Sequence, residues 1–234
     1  MARHAPTQIG EYMNPLASAT SQPRALLVLE DGTTFEGRCC GASGETFGEI
    51  VFNTSMTGYQ EIISDPSYAG QIVTLTYPQV GNYGIDPAVM QRDTLHLRGF
   101  VVHDMCYEPS NWTSKQSLPE FLQENDVVAI EGIDTRALTM HLRDYGAQKA
   151  AISTEDLDPA HLLARVQASP SISEHNFVPD VSVDAPHVVP ATSKKRFNVV
   201  AYDCGEKNGI LQGLAANGCE VTVVPWNTPA EDAL

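Results

Sequence analysis

From Ser169 to Lys195 the chain loses every periodicity that could build a helix or a hairpin: Pro170, Pro179, Pro186 and Pro190 fall among scattered Ser, Asp and Val. Proline fixes φ and donates no backbone hydrogen bond, so this run reads as an extended connection at 169–195 between two folded units. The unit that follows, 196–234, is short. Phe197–Asp203 is a continuous apolar strand, Gly209–Ala216 is helical, Gly218 sits where a glycine commonly closes a helix, and Glu220–Pro225 is a second strand. A single β-α-β leaves both sheet faces and both edges largely uncovered, so these residues read as the start of a domain.

The unit before the connection, 25–168, reads as a mixed, strand-heavy α/β domain. Ala25–Leu29 stops at Glu30-Asp31-Gly32, and Asp-Gly between two apolar runs predicts a two-residue hairpin with positive φ in its turn. Gly41, Gly44 and Gly48 then punctuate a loop that leads into the strand Glu49–Asn53. Gln71–Tyr77 is β-branched and halted by Pro78, with a tight turn at Gly81–Gly84. Pro87–Asp93 is a short helix or loop, and Leu97–His103 a further strand. Ser117 opens a helix with Glu120 at capping-box spacing, Val127–Ile130 is a buried strand, and Asp134–Arg143 is a helix ended by Gly146. A strand at Ala150–Ser153 and a helix at Pro159–Ala168 complete the unit. Residues 1–24 hold no such pattern and read as a disordered tail.

Fourteen Lys and Arg stand against 29 Asp and Glu, a net charge of -15, which repels polyanions and argues against nucleic acid or an anionic membrane as a partner. Cys39, Cys40, Cys106, Cys204 and Cys219 are odd in number and include no Cys-x-x-Cys, which speaks against a disulfide framework or a structural zinc and for a reducing cytoplasm. No metal is expected, because none of the seven histidines shares the i, i+4 spacing that mounts a metal on one helix face. The longest early apolar run, Ala25–Leu29, is far short of the ~20 residues of a membrane-spanning helix.

The densest set of hydrogen-bonding groups is Phe52–Glu61, continued by Asp65-Pro66-Ser67-Tyr68. Side chains of this kind between strands can orient a small polar ligand or fix a partner surface. In Asp-Pro-Ser, Asp65 can bond the backbone while Pro66 fixes φ, which leaves the Ser67 hydroxyl on a rigid turn; it can serve a ligand or cap its own turn. In the second unit, Gly205 and Gly209 do not form Gly-x-Gly-x-x-Gly, though the strand end at Asp203–Lys207 is where open α/β sheets place ligands. Cys204 lies beside a helix start with no base adjacent and reads as a semi-buried structural thiol. His103-Asp104 sit on opposite faces of a strand and read as ordinary surface or capping residues.

Leu29–Gly32, Phe52–Glu61, Asp65–Tyr68, Gln71–Pro78 with Gly81-Asn82, Ile133–Arg136, and Ala201–Asp203 with Gly205, Lys207 and Ile210 together resemble the small, glutamine-handling subunit of carbamoyl phosphate synthetase. The resemblance runs over nearly all of residues 25–234. It implies a layered β/β/α first domain followed by the first β-α-β of a flavodoxin-like class I glutamine amidotransferase domain, within which the chain ends. It further implies that Ser67 contacts L-glutamine, and that ammonia passes to a large subunit which uses ATP and Mg, with no cofactor in this chain. The product would serve pyrimidine or arginine synthesis. The family's nucleophile motif Gly-x-Cys-x-Gly-x-Gln and its His-Pro-Glu are absent from these residues, so no catalytic residue is assigned and the chain alone is expected to be inactive. The alternative expectation is a non-catalytic module that binds a large synthetase-like partner.

Overall fold

The computed structural model describes residues 22–233, so most of the tail expected to be disordered lies outside the described residues. The first unit is built on a closed barrel of seven strands in the order β1 (Arg24–Leu29), β2 (Thr34–Cys39), β8 (Val128–Glu131), β6 (Gly99–Val101), β4 (Gln71–Leu75), β3 (Glu45–Asn53) and β9 (Gln148–Ser153), which returns to β1. β3, β4, β6 and β8 run parallel to one another, while the β1–β2, β1–β9, β2–β8 and β3–β9 pairs are antiparallel. A separate two-residue ribbon pairs β5 (Gln79–Val80) with β7 (Asp104–Met105).

Alternation along the strands sorts the apolar residues into an inner and an outer set. Leu27, Leu29, Ile50, Ile72, Val101, Ile130 and Ile152 form one cluster with Leu138 and Leu142 of helix α3 (Thr135–Tyr145). A face shared by so many strands of a closed sheet is its interior, and α3 plugs one end of it. The outer face is covered in two places. Val73, Leu75, Phe100 and Ala129 pack under α1 (Tyr59–Ile63) and α2 (Leu118–Glu124). Leu26, Val28 and Ala151 pack under Leu162 and Val166 of α4 (Pro159–Ala168).

Local chemistry sets the boundaries. α2 opens on the expected capping box, with the Ser117 side chain accepting from the Glu120 N–H and Glu120 accepting from the Ser117 N–H. The first hairpin differs from its expected form: the Leu29 N–H donates to Thr33 O and the Gly32 N–H to Leu29 O, each at 2.9 Å, which makes a three-residue loop. Gly32, at φ 90, supplies the left-handed residue that such a loop needs. β3 begins four residues before the expected Glu49, running through Gly48. A Cβ on Gly48 would stand 2.6 Å from Gly70 O, so this glycine permits a close approach inside a strand where a loop break was expected.

The second unit is a three-stranded sheet. β11 (Phe197–Asp203) and β12 (Cys219–Pro225) are parallel and joined by α6 (Asn208–Ala216), and β10 (His187–Val189) pairs antiparallel with β12. The connection at 169–195 is therefore more structured than its prolines suggest. It carries a 3-10 turn at Ile172–Glu174, the one-turn helix α5 (Val178–Val181), and β10 itself. Pro186 and Pro190 flank β10 immediately outside it, where a missing N–H removes no ladder bond, and the pairing comes from β12 rather than from any pattern within three residues.

Candidate functional site

The polar stretch after β3 folds into the seam between the two units. α1 begins at Tyr59, behind Gly58 at φ 87. Tyr59 stacks on Tyr83 with ring centroids 4.0 Å apart, and the Tyr83 hydroxyl accepts the N–H groups of Gly58 and Tyr59 at 2.8 and 3.0 Å. Tyr59 in turn donates to Gly84 O at 2.7 Å, and burial pushes both phenols above their ordinary pKa. Gln60 is fully buried: its amide accepts the Asp86 N–H at 2.9 Å and donates to Asp86 O. Ser64 donates to Gln60 O at 2.8 Å and accepts the Gln91 N–H at 2.9 Å. Much of the hydrogen-bonding capacity that marked this stretch in the sequence is thus spent inside the protein. The side chains left exposed include Thr54, Ser55, Thr57, Glu61 and Ser67.

Ser67 stands on a 3-10 turn, Pro66–Tyr68, between the buried Pro66 and the half-buried Tyr68. Its N–H donates to Asp65 Oδ1 at 2.9 Å, so Asp65, not Ser67, caps the turn. The Ser67 hydroxyl makes no hydrogen bond among the described residues. Asp65 Oδ2 lies 3.2 Å from Lys207 Nζ of the second unit, and a Cβ on Gly205 would come within 3.6 Å of Pro66. Beside this turn a polar cleft of about 420 Å³ opens between the units, lined by Asn53, Ser55, Glu61 and Tyr68 on one side and by Gln91 and Lys207 on others; Ser67 is not part of its lining.

A buried ion pair fastens the seam. Arg92 Nη2 meets Asp203 Oδ1 at 2.5 Å, and Arg92 Nε donates to Glu206 O at 2.9 Å. Asp203 also accepts the N–H groups of Val183, Gly205 and Glu206 at 2.9, 2.9 and 3.1 Å. Burial opposes its ionisation, but the Arg92 guanidinium and the N–H donors outweigh that and hold its carboxyl below the usual range. Burial, reinforced by the Asp203 charge, pushes the neighbouring Glu206 upward, and Glu206 Oε1 is buried with no partner among the described residues. The start of α6 is closed by the first unit: the Asn208 N–H donates to Gln91 O at 3.1 Å and the Gly209 N–H to Gln91 Oε1 at 3.2 Å. Cys204, expected to be semi-buried, is exposed on this turn. His103 Nδ1 donates to Ile133 O at 2.8 Å, while Asp104 is exposed.

Against this geometry the comparisons with known proteins are decisive. The family model described as carbamoyl-phosphate synthase small chain, CPSase domain, matches residues 27–152, which is more than half of the chain. The chain belongs to the carbamoyl-phosphate synthase small-chain family. Among curated relatives, the carbamoyl phosphate synthase small chain of Syntrophotalea carbinolica is 48% identical over 223 residues, covering 90% of this chain and 59% of that relative. The small chain of Synechococcus sp. is 45% identical over 93% of this chain and 58% of its own length. That of Thermotoga maritima is 48% identical over 89% of this chain and 53% of its own. The chain thus spans less than two thirds of the length of the small chains it matches. The domain matched by the family model is the barrel, from β1 through most of β9.

Proposed function

We propose that this chain is the part of a glutamine-dependent carbamoyl phosphate synthase small subunit that supports glutamine binding and meets the large subunit, with Ser67 contacting L-glutamine. In this reading 25–168 is the small-subunit N-terminal domain, with the layered β/β/α build the family implies. Residues 196–234 open a flavodoxin-like amidotransferase domain, a view supported by the parallel β11–α6–β12 crossover and by the exposed Phe197, Val200 and Tyr202 on β11, where further structure would pack. Glutamine hydrolysis needs a thiolate nucleophile, a base and oxyanion donors, and these residues contain no elbow motif to hold them. The chain alone therefore hydrolyses no glutamine. In the assembled cytoplasmic enzyme, ammonia reaches a large subunit that works with ATP and Mg, and the product feeds pyrimidine or arginine synthesis.

The observation that carries the Ser67 assignment is its exposed hydroxyl, free of hydrogen bonds among the described residues, on a turn that Asp65 and Pro66 hold against Lys207 and Gly205 of the second unit. In a full-length small chain, Ser67→Ala should raise the apparent KM for glutamine by about two- to tenfold, the equivalent of one lost hydrogen bond, and leave ammonia-dependent synthesis nearly unchanged. Unaltered glutamine kinetics would remove Ser67 from the site.

A further inference from the structure

A larger cleft, about 700 Å³, opens at the end of the barrel that α3 plugs; it shares no lining residue with the polar cleft, although its Thr54 lies between Asn53 and Ser55 of that cleft, and it does not depend on the glutamine reading above. Its walls come from the carboxyl ends of four adjacent parallel strands: Thr54 follows β3, Thr76 follows β4, His103 follows β6, and Asp134 with α3 follows β8. Parallel strands that end together splay their following loops and leave a crevice there. The loops are tied to one another, since the Thr76 N–H donates to Asn53 O at 3.1 Å and the Gly132 N–H to His103 O at 2.9 Å, while His103 Nδ1 holds Ile133 O. The remaining wall is one side of α3, where Arg136, Met140 and Arg143 fall at i, i+4 and i+7.

The charge of this wall is out of keeping with the molecule. In a chain of net charge -15, two guanidinium groups face one carboxylate, Asp134, whose Oδ1 is occupied by the Ala137 N–H at 2.8 Å. Arg143 is shared with Asp144 at 3.0 Å, whereas Arg136 makes no ion pair among the described residues. With Asp144 counted the charges balance, and Arg136, the guanidinium left without an ion-pair partner among the described residues, is the group that can take a monoanion. Apart from His103, whose Nδ1 donates to Ile133 O, the rest of the lining is apolar or bears a hydroxyl beside a methyl: Pro78, Met140 and the threonines. A planar guanidinium over an apolar floor suits a carboxylate attached to an apolar body.

We infer that this cleft binds a small organic monocarboxylate, with Arg136 taking the carboxylate and Met140 and Pro78 receiving its apolar part. The test uses benzoate as probe on the whole chain, followed by amide chemical shifts, with benzamide and inorganic phosphate as controls. Benzoate should give a saturable shift of the Thr54, Thr76, His103 and Arg136 amides, with weaker response to benzamide and phosphate. Arg136→Gln should weaken benzoate binding about tenfold or more, as expected for loss of a charge-assisted pair. Arg24→Gln makes the same charge change at an exposed pair between Arg24 of β1 and Glu36 of β2 and should leave binding intact. No saturable shift up to about 50 mM benzoate, equal binding by Arg136→Gln, or equal loss in Arg24→Gln would each overturn the assignment.

Discussion

Asp31, on the first hairpin, shows how a single carboxylate ties distant segments together. Its Oδ1 accepts the Thr33 N–H at 2.9 Å, and its Oδ2 meets His141 of α3 at 2.5 Å and the amide of Gln148 of β9 at 3.2 Å. Burial opposes ionisation, but these partners outweigh it and bring the carboxyl down from 3.8 to about 2. A carboxyl depressed on folding adds stability above its unfolded pKa, and that stability is lost as pH falls toward the folded value. Acid titration of stability between pH 4 and 2 should therefore be shallower for Asp31→Asn than for the parent chain; parallel curves would deny Asp31 this role. Legibility at this scale was uneven. The Asp-Pro-Ser turn could be read directly, because Asp65 bonds a backbone group two residues on. Arg92 could not, because its partner Asp203 lies 111 residues away and no local pattern links them. At the strand end Asp203–Lys207, where open α/β sheets place ligands, Asp203 is taken up by Arg92 and backbone N–H groups while Lys207 lines the polar cleft.

Elements followed the sequence wherever a local signal set both ends. The helix at Pro159–Ala168 and the strand at Phe197–Asp203 have the bounds that their proline, capping and apolar patterns foretell. The departures share one cause, which is that the deciding contact lies outside the element. β3 passes through Gly48 because Gly70 O approaches there, β10 exists because β12 offers an edge, and α1 forms in a polar stretch because Tyr83 takes the N–H groups of Gly58 and Tyr59. Barrel closure by β1–β9 pairing is likewise invisible to any local window. α2 is the element with the strongest local signal and so offers the cleanest test. Ser117→Ala removes the side-chain acceptor of the Glu120 N–H and should cost about 1 kcal/mol, read as a lower midpoint in urea at unchanged m-value. No change in midpoint would mean that tertiary packing of Leu118 and Leu122 alone sets the helix start.

The two units hold their arrangement through polar contacts more than through a shared apolar core. The second unit has its own cluster around Leu211, Val221 and Val223, separate from the barrel's clusters, so its docking depends on Arg92–Asp203, Asp65–Lys207 and the Gln91 cap on α6. Of these the first dominates. Asp65–Lys207 is a half-exposed pair at 3.2 Å and worth about 1 kcal/mol or less, whereas Asp203 is fully buried and Arg92 only 18% exposed. Removing one member of a buried pair strands the other charge, at a cost of about 3 kcal/mol. Arg92→Met should therefore let the second unit unfold ahead of the barrel. Trp226, at 41% exposure and with its backbone N–H donating to Ser182 Oγ at 3.0 Å, reports on the second unit, while Trp112 is 92% exposed and changes little on unfolding. In the parent chain, Trp226 fluorescence and far-ultraviolet circular dichroism should follow one urea transition. In Arg92→Met the fluorescence midpoint should fall below the dichroism midpoint, and adding Asp203→Asn should recover part of the loss by removing the stranded charge. Coincident transitions in Arg92→Met would show that the units are joined by something other than this pair.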